Sequence, residues 1–419
     1  MFSKFVRSVS CFFRPKASFS STIVKDPTHT AAPQEPPFTE LERDFLEPED
    51  FYNLLKSKGI DFFTGVPDSL LKDFCGYVAD NVPSKNHIIA ANEGNAVAIA
   101  AGYNLGTGKY PLVYLQNSGL GNIVNPIMSL AHSQVYSIPM LLLIGWRGEP
   151  GKKDEPQHII QGKCMNGILT EMGIQYEVLP DFIEGATQSV ESAIFHMKNR
   201  SSPYALIVRR QTFVSYKFKN KAKNSYTLNR EEALNILIEN IGEHDVCVGT
   251  TGFLSRELYE IRANRKQGHE RDFLCVGSMG HASSIALGVA ISKPSRKVFC
   301  FDGDGALLMH MGNMPIIGST KCENFIHVLF NNGSHDSVGA QPTVGLKVIF
   351  SEIAKNSGYA YIQEVSTKEE IESISKNIAN IKGPAFIEIK IRPGARKDLG
   401  RPKSSPMANK NDFVSFLKK

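Results

Sequence analysis

The sequence contains no CxxC pair. Its seven cysteines stand singly, at Cys11, Cys75, Cys164, Cys247, Cys275, Cys300 and Cys322. Neither a zinc ribbon nor a disulfide framework is indicated, and mostly buried thiols in a reducing compartment are expected. No apolar run approaches the roughly 18 residues that cross a bilayer as a helix. Acids are missing from the start, where Lys4, Arg7, Arg14, Lys16 and Lys25 all precede Asp26. The end is basic too: from Arg396 onward, seven Lys and Arg face only Asp398 and Asp412. The net charge of +5 therefore belongs to two basic ends around a mildly acidic body. That is not the footprint of a nucleic-acid binder. No repeat is visible by sequence identity.

The acid-free start, "MFSKFVRSVSCFFRPKASFSSTIVK", is rich in Arg, Lys and Ser, with Phe at intervals. Its longest apolar run, Cys11-Phe12-Phe13, is too short for a secretory signal, and the composition fits a mitochondrial transit peptide over residues 1–25. The alternative is an ordinary basic N-terminus on a cytoplasmic protein. Residues 26–45, with "TAAPQEPP", read as a linker.

Beyond the linker, short apolar runs alternate with helical spacing. "DFFTGV" (61–66), "HIIAA" (87–91), "PLVYLQ" (111–116), "PMLLLIGW" (139–146) and "YALIVRR" (204–210) read as strands, with helices over 95–106 and 121–131 between them. A polar, lysine-rich stretch, "KFKNKAKNSYTLN" (217–229), reads as a second linker. A second alternation follows: "DVCVGT" (245–250), "DFLCVG" (272–277), "KVFCF" (297–301), "FIHVLF" (325–330), "YAYIQEV" (359–365) and "PAFIEIKI" (384–391). The expectation is α/β: two doubly wound parallel-sheet domains, at 46–216 and 230–405, with no central third domain and a basic tail over 406–419. Ligands of such sheets sit at the carboxyl ends of the strands.

One of those ends carries unusual chemistry. In "KVFCFDGDGALLMHMGNM" (297–314) a buried strand delivers Asp304 between two glycines, just ahead of a helix. Free N–H groups and the helix dipole make that place favourable for anions. A lone GDG is commonly a glycine turn with a helix cap. Here, however, the next strand runs into "NNGSHDSVG" (331–339), and a right-handed crossover places neighbouring strand ends side by side. A carboxylate, an amide oxygen and backbone carbonyls are hard ligands that suit a Mg²⁺ sharing phosphate oxygens.

This pattern resembles the diphosphate-binding motif of thiamine diphosphate-dependent enzymes. The resemblance implies that fold for both domains, pyrimidine-binding then diphosphate-binding, with thiamine diphosphate and Mg²⁺ as cofactors. It makes Asp304 and Asn332 side-chain ligands of Mg²⁺ and Ser334 a ligand through its backbone carbonyl, with Gly303, Gly305 and Ala306 beside the cofactor. "GSMGHASSIALGVA" (277–290) resembles the preceding segment of the family. There Gly277 lies at the cofactor and Met279 props it in a bent shape; plain core packing is the other reading of Met279. "AANEGNAVAIAAGYNLGTGK" (90–109) supplies Glu93 as the carboxylate for the aminopyrimidine ring. The cofactor brings the electron sink that a 2-oxo acid needs to lose CO₂.

"FFTGVPDSLL" (62–71), "LQNSGLGNIVNPIMSLA" (115–131), "YSIPMLLLIGWRGEPGKKDEPQHIIQGK" (136–163), "NNGSHDSVGAQPTV" (331–344) and "ARKDLGRP" (395–402) extend the resemblance. It narrows to the phosphonopyruvate decarboxylase branch of the 2-oxo acid decarboxylases. The implied reaction takes 3-phosphonopyruvate to phosphonoacetaldehyde and CO₂, in phosphonate (2-aminoethylphosphonate) biosynthesis. Alternatives are a sulfopyruvate decarboxylase, a carboligase, or a non-catalytic subunit that keeps the fold. A substrate with two anionic groups calls for cations or oriented donors. Arg147, Lys152, Lys153, Arg396 and Arg401 are the loop candidates, against the ordinary reading of solvated charges, and His158 and Gln157 are further polar candidates. His335 is a proton-transfer candidate or a loop-stabilising hydrogen bonder. Asp68 is a second one, or a helix N-cap. Gln116, Asn117 and Ser118 end a strand where they can donate toward cofactor or substrate. The family assembles its sites across a subunit interface, which implies a homodimer or higher oligomer with Glu93 of one subunit facing Asp304 of its neighbour.

Overall fold

The computed structural model describes residues 45–419. Its first half runs α1 (Pro48–Ser57), β1 (Phe63–Gly65), α2 (Lys72–Asn81), β2 (His87–Ile89), α3 (Glu93–Thr107), β3 (Leu112–Gln116), α4 (Leu120–Pro126), β4 (Leu141–Gly145), α5 (Pro156–Glu171), β5 (Gln175–Val178), α6 (Ile183–Arg200) and β6 (Tyr204–Val208). The six strands form one parallel sheet in the order β2-β1-β3-β4-β6-β5. Strands such as "LLLIG" in β4 are buried at every position. Helices cover both faces of the sheet, so a polar alternation would have no water to face.

The second half runs α7 (Arg230–Leu237), β7 (Val246–Gly249), α8 (Phe253–Asn264), β8 (Asp272–Leu274), α9 (Ala282–Ser292), β9 (Val298–Gly303), α10 (Asp304–Met309), α11 (Asn313–Thr320) and β10 (Phe325–Asn331). A two-stranded hairpin, β11 (Ser334–His335) with β12 (Gln341–Pro342), interrupts it. Then follow α12 (Phe350–Asn356), β13 (Tyr361–Val365), α13 (Lys368–Asn377), β14 (Ala385–Lys390) and α14 (Pro406–Leu417). The main sheet is parallel, in the order β8-β7-β9-β10-β14-β13. Counting each half's own sheet strands from one, both sheets read 2-1-3-4-6-5. The chain reverses its winding between strands 1 and 3, and the crevice at that switch is where such sheets bind ligands.

Three segments differ from expectation. β5 is a half-polar edge strand, "QYEV", whose short pattern gives no strand signal. Residues 217–229 form no regular element, yet they are anchored: the Asp80 carboxylate accepts from the Lys219 and Asn220 amides at 2.8 and 2.9 Å. The segment read as a basic tail is a helix, α14, capped by Ser405 (its Oγ accepts from the Ala408 N–H at 3.1 Å) with Pro406 in its first turn. It buries Phe413, and the Asn409 amide brackets β8, donating to Asp272 O at 2.8 Å and accepting from Leu274 N–H at 3.0 Å.

Candidate active site

In the second half, β9 and β10 pair in register Phe330 to Gly303, so Asp304 and Asn331-Asn332 leave adjacent strand ends. Asp304 opens α10 and is 2% exposed. Burial pushes its carboxyl up to about 7, against the Thr343 hydroxyl and the backbone N–H groups of Asp304 and Asn332, which favour the ionised form. The Thr343 hydroxyl donates to Asp304 Oδ2. Asn332 Oδ1 accepts from the Ser334 N–H at 2.9 Å. Ser334 Oγ is buried without a partner. Glycines set the clearances. A Cβ on Gly345 would stand 2.4 Å from Asp304 Oδ2, and one on Gly305 would stand 2.7 Å from the His335 ring and 3.5 Å from the Met279 methyl. Nothing lies within 4 Å of the place a Cβ on Gly303 would take, so the approach there is open. No Lys or Arg among the described residues pairs with Asp304. This buried acid with amide and hydroxyl oxygens around it fits a divalent, oxygen-seeking ion.

His335 lies against that turn, and burial pushes its imidazole down to about 4. It is therefore neutral at physiological pH and acts through hydrogen bonds. Beneath the site, Asp302 Oδ2 lies 3.5 Å from His327 Nε2, whose Nδ1 is 3.2 Å from the Tyr359 hydroxyl, all buried. Asp302 Oδ1 also accepts from the Gly303 N–H at 2.9 Å, which steadies the backbone entering the motif.

In the first half, Glu93 opens α3 and is 5% exposed. Asn92 caps that helix by accepting from the Asn95 N–H at 2.9 Å. Glu93 Oε2 accepts from Asn122 Nδ2 at 2.6 Å, and a Cβ on Gly119 would stand 2.4 Å from Oε1. Asp68 is fully buried after β1; its Oδ2 accepts from the Leu70 and Leu71 N–H groups at 2.8 and 3.3 Å. That turn precedes α2 rather than capping it at Ser69, since the helix begins at Lys72. Asp68 Oδ1 accepts from Gln116 Nε2, and Gln116 Oε1 accepts from the Ser118 hydroxyl at 2.7 Å. Asp68, Gln116 and Ser118 are thus one chain of side chains. The Asn117 side chain accepts from the Arg147 N–H at 3.1 Å and donates to Arg147 O at 2.7 Å, tying the end of β3 to that of β4.

The connections leaving the two sets of strand ends touch within one chain. Asn92 Nδ2 donates to Met309 O at 3.2 Å, a Cβ on Gly277 would lie 3.5 Å from Gln157, and one on Gly339 would lie 3.3 Å from Lys72. Arg401 reaches Glu155 at 3.0 Å. These contacts join loops of the two halves within a chain; none of them is between Glu93 and Asp304.

The candidate cations are largely engaged. Arg147 makes a two-pronged pair with Asp154, at 2.9 and 2.5 Å, and donates to Ser69 Oγ at 2.8 Å. Arg396 pairs with Glu231, Glu260 and Asp398 on the second half. Lys152 and Lys153 are exposed. His158 is buried with Nδ1 unpartnered, and Gln157 Oε1 is buried and unpartnered beside it. Thr343, Gly119 and Gly345 carry no pattern of their own in the sequence, because their roles rest on contacts across turns.

Comparison with known proteins fits this geometry. Residues 49–168 match the thiamine pyrophosphate enzyme N-terminal TPP binding domain, and 248–389 match the C-terminal TPP binding domain. The fold and the cleft thus define a thiamine diphosphate-dependent carboxy-lyase. A phosphonopyruvate decarboxylase of Streptomyces viridochromogenes is 30% identical over 378 residues, covering 87% of this chain and 93% of the relative. One from Streptomyces hygroscopicus is 30% identical over 377 residues, covering 86% and 92%. A sulfopyruvate decarboxylase of Methanosarcina acetivorans is 28% identical over 388 residues, covering 86% and 95%. The chain belongs to the phosphonopyruvate decarboxylase family. The mitochondrial expectation is overturned: these phosphonopyruvate decarboxylases are bacterial, which points to a cytoplasmic enzyme. The segment 1–25 that prompted it lies outside the described residues. Among the described residues, no helix is long and apolar enough to cross a membrane.

Proposed function

We propose that this enzyme decarboxylates 3-phosphonopyruvate to phosphonoacetaldehyde. One carbon–carbon bond breaks, CO₂ leaves, and a proton takes its place. The observation that carries the reading is the buried Asp304 leaving a strand end beside that of Asn331-Asn332, with a second buried acid, Glu93, opening a helix of the other half. The substrate is supported by full-length relatives named for it. A sulfopyruvate decarboxylase is the second reading, favoured by a relative of that name at 28% identity.

Residues 46–216 would serve the pyrimidine end and 230–405 the diphosphate end. When bound, thiamine diphosphate supplies the electron sink for the carbon that loses CO₂. Asp304, Asn332 and the Ser334 carbonyl would hold Mg²⁺ and, with it, the diphosphate. Glu93, shielded from water, would hold or give a proton at the aminopyrimidine ring. Asp68, linked to Gln116, and the neutral His335 would move or orient the proton that replaces CO₂. His158 offers a buried, unpartnered Nδ1 that donates to the substrate's anionic end in the tautomer protonated there, whereas the bare Gln157 Oε1 only accepts and suits a donor instead.

We also infer a homo-oligomer. Helices α3 and α9 each expose a small-residue stripe with the same spacing, Ala98-Gly102-Leu105 and Ser284-Gly288-Ile291, and both glycines have open space before them. Sedimentation of the enzyme as a monomer would remove this part. Release of CO₂ from phosphonopyruvate and sulfopyruvate, with and without Mg²⁺ and thiamine diphosphate, tests the whole. Faster turnover of sulfopyruvate would transfer the assignment to the second reading.

A further inference from the structure

We propose that Asp336 is a positioning residue that makes the Asn332 side chain present its oxygen, rather than its nitrogen, to the metal. The inference rests on the reading of Asn332 as a Mg²⁺ ligand. An amide has two ends of similar shape, and only one can bind a cation: the oxygen has lone pairs, whereas the NH₂ group carries outward hydrogens. In a ring of metal ligands a flipped amide would repel the ion. Something must therefore choose the rotamer.

Asp336 makes that choice by chemistry. A carboxylate only accepts, so the end of Asn332 that lies 2.7 Å from Asp336 Oδ2 must be Nδ2. Oδ1 is then turned the other way, where it accepts from the Ser334 N–H at 2.9 Å and keeps a second lone pair for a ligand. Asp336 is itself held from outside the turn. The same Oδ2 accepts from the Gly394 N–H at 2.9 Å and from Arg230 Nη1 at 3.3 Å. Arg230 is fixed in turn by Glu257, through contacts of 2.7 and 3.0 Å. Both side chains of that pair are buried. The line Glu257–Arg230–Asp336–Asn332 thus runs from α8 through α7 to the metal turn. Of its members only Asn332 belongs to the GDG and NN pairs.

The test is binding of Mn²⁺ to the full-length protein in the presence of thiamine diphosphate, read from the paramagnetic signal of free Mn²⁺. Asp336→Ala is expected to weaken binding by about 10- to 100-fold, the usual effect of losing an outer partner of a metal ligand. In an Asn332→Asp background the same change is expected to cost less than about 3-fold, because a carboxylate presents an oxygen however it rotates. A purely structural role for Asp336 would not distinguish the two backgrounds. Undiminished affinity in Asp336→Ala, or equal loss in both backgrounds, overturns the proposal. Should Asp336→Ala not fold, Asp336→Asn carries the same cycle, with a smaller loss that is again suppressed beside Asn332→Asp. Wild-type protein that fails to take up Mn²⁺, or Asn332→Ala that still takes it up, instead overturns the metal reading beneath it.

Discussion

In the first half the key acid, Glu93, follows strand 2 of its sheet. In the second half Asp304 follows strand 3, and Asn332 follows strand 4 of a sheet with the same strand order. Both acids open a helix, and both have a glycine pressed against one carboxylate oxygen, Gly119 on Glu93 and Gly345 on Asp304, where a Cβ would stand 2.4 Å away. Their surroundings then diverge. Glu93 has one amide donor and a neighbouring half to face, whereas Asp304 is ringed by Thr343, Asn332 and backbone N–H groups suited to an ion. One topology therefore offers several equivalent strand ends, and the loops decide which end holds a proton and which holds charge.

The largest effects should come from the acids themselves. Glu93→Gln and Asp304→Asn should each lower CO₂ release by at least about 100-fold. They should differ in gel filtration with Mg²⁺: Glu93→Gln keeps thiamine diphosphate, and Asp304→Asn loses it. Mixed and reassociated, the two variants should recover part of the turnover, since Glu93 of one subunit is expected to face Asp304 of its neighbour; no recovery would put the pair within one chain. Next come the backing glycines. Gly119→Ala and Gly345→Ala should each destabilise the fold by about 1–3 kcal/mol in thermal melts. Only Gly345→Ala should also raise the Mg²⁺ requirement, and an equal rise in both would erase the distinction between the halves.

Thr343→Val should weaken cofactor retention by about 10-fold, with Thr343→Ser restoring it. The smallest effect concerns His87, which is 2.8 Å from the Tyr114 hydroxyl and is pushed by burial down to about 4. Between about pH 6.5 and 4 the unfolded chain takes up a proton there that the folded one refuses. Stability at this site is thus present above pH 6.5 and is lost as the pH falls toward 4. His87→Gln should flatten that part of the acid-stability curve; an unchanged slope would show the ring to be accessible.

The strands were legible where burial on both faces forces apolar runs, as in "LLLIG" and "FIHVLF". β5 was not, because an edge strand has water to face and keeps polar residues. α14 hid behind its lysines, although Ser405-Pro406 carries a helix-start signal. The GDG and NN signals found the metal turn because both belong to strand ends that parallel pairing puts side by side. Thr343 and Arg230 left no such trace, because each contributes through a partner distant in sequence, and Asp336, though only four residues from Asn332, lies beyond the strand end in a loop without a periodic pattern. The shared strand order of the two halves was equally invisible, since core residues interchange freely while the topology stays. Arg147 shows the opposite failure, a basic residue in the expected loop whose charge Asp154 already answers.

β8 is a border strand, and its outer rim meets a side chain instead of another strand: Asn409 imitates a peptide unit, satisfying one N–H and one C=O. An uncapped rim of this kind is a template for pairing with foreign chains. The last turns of the polypeptide therefore guard the molecule against sticking to itself, a duty separate from the chemistry at the opposite ends of the strands.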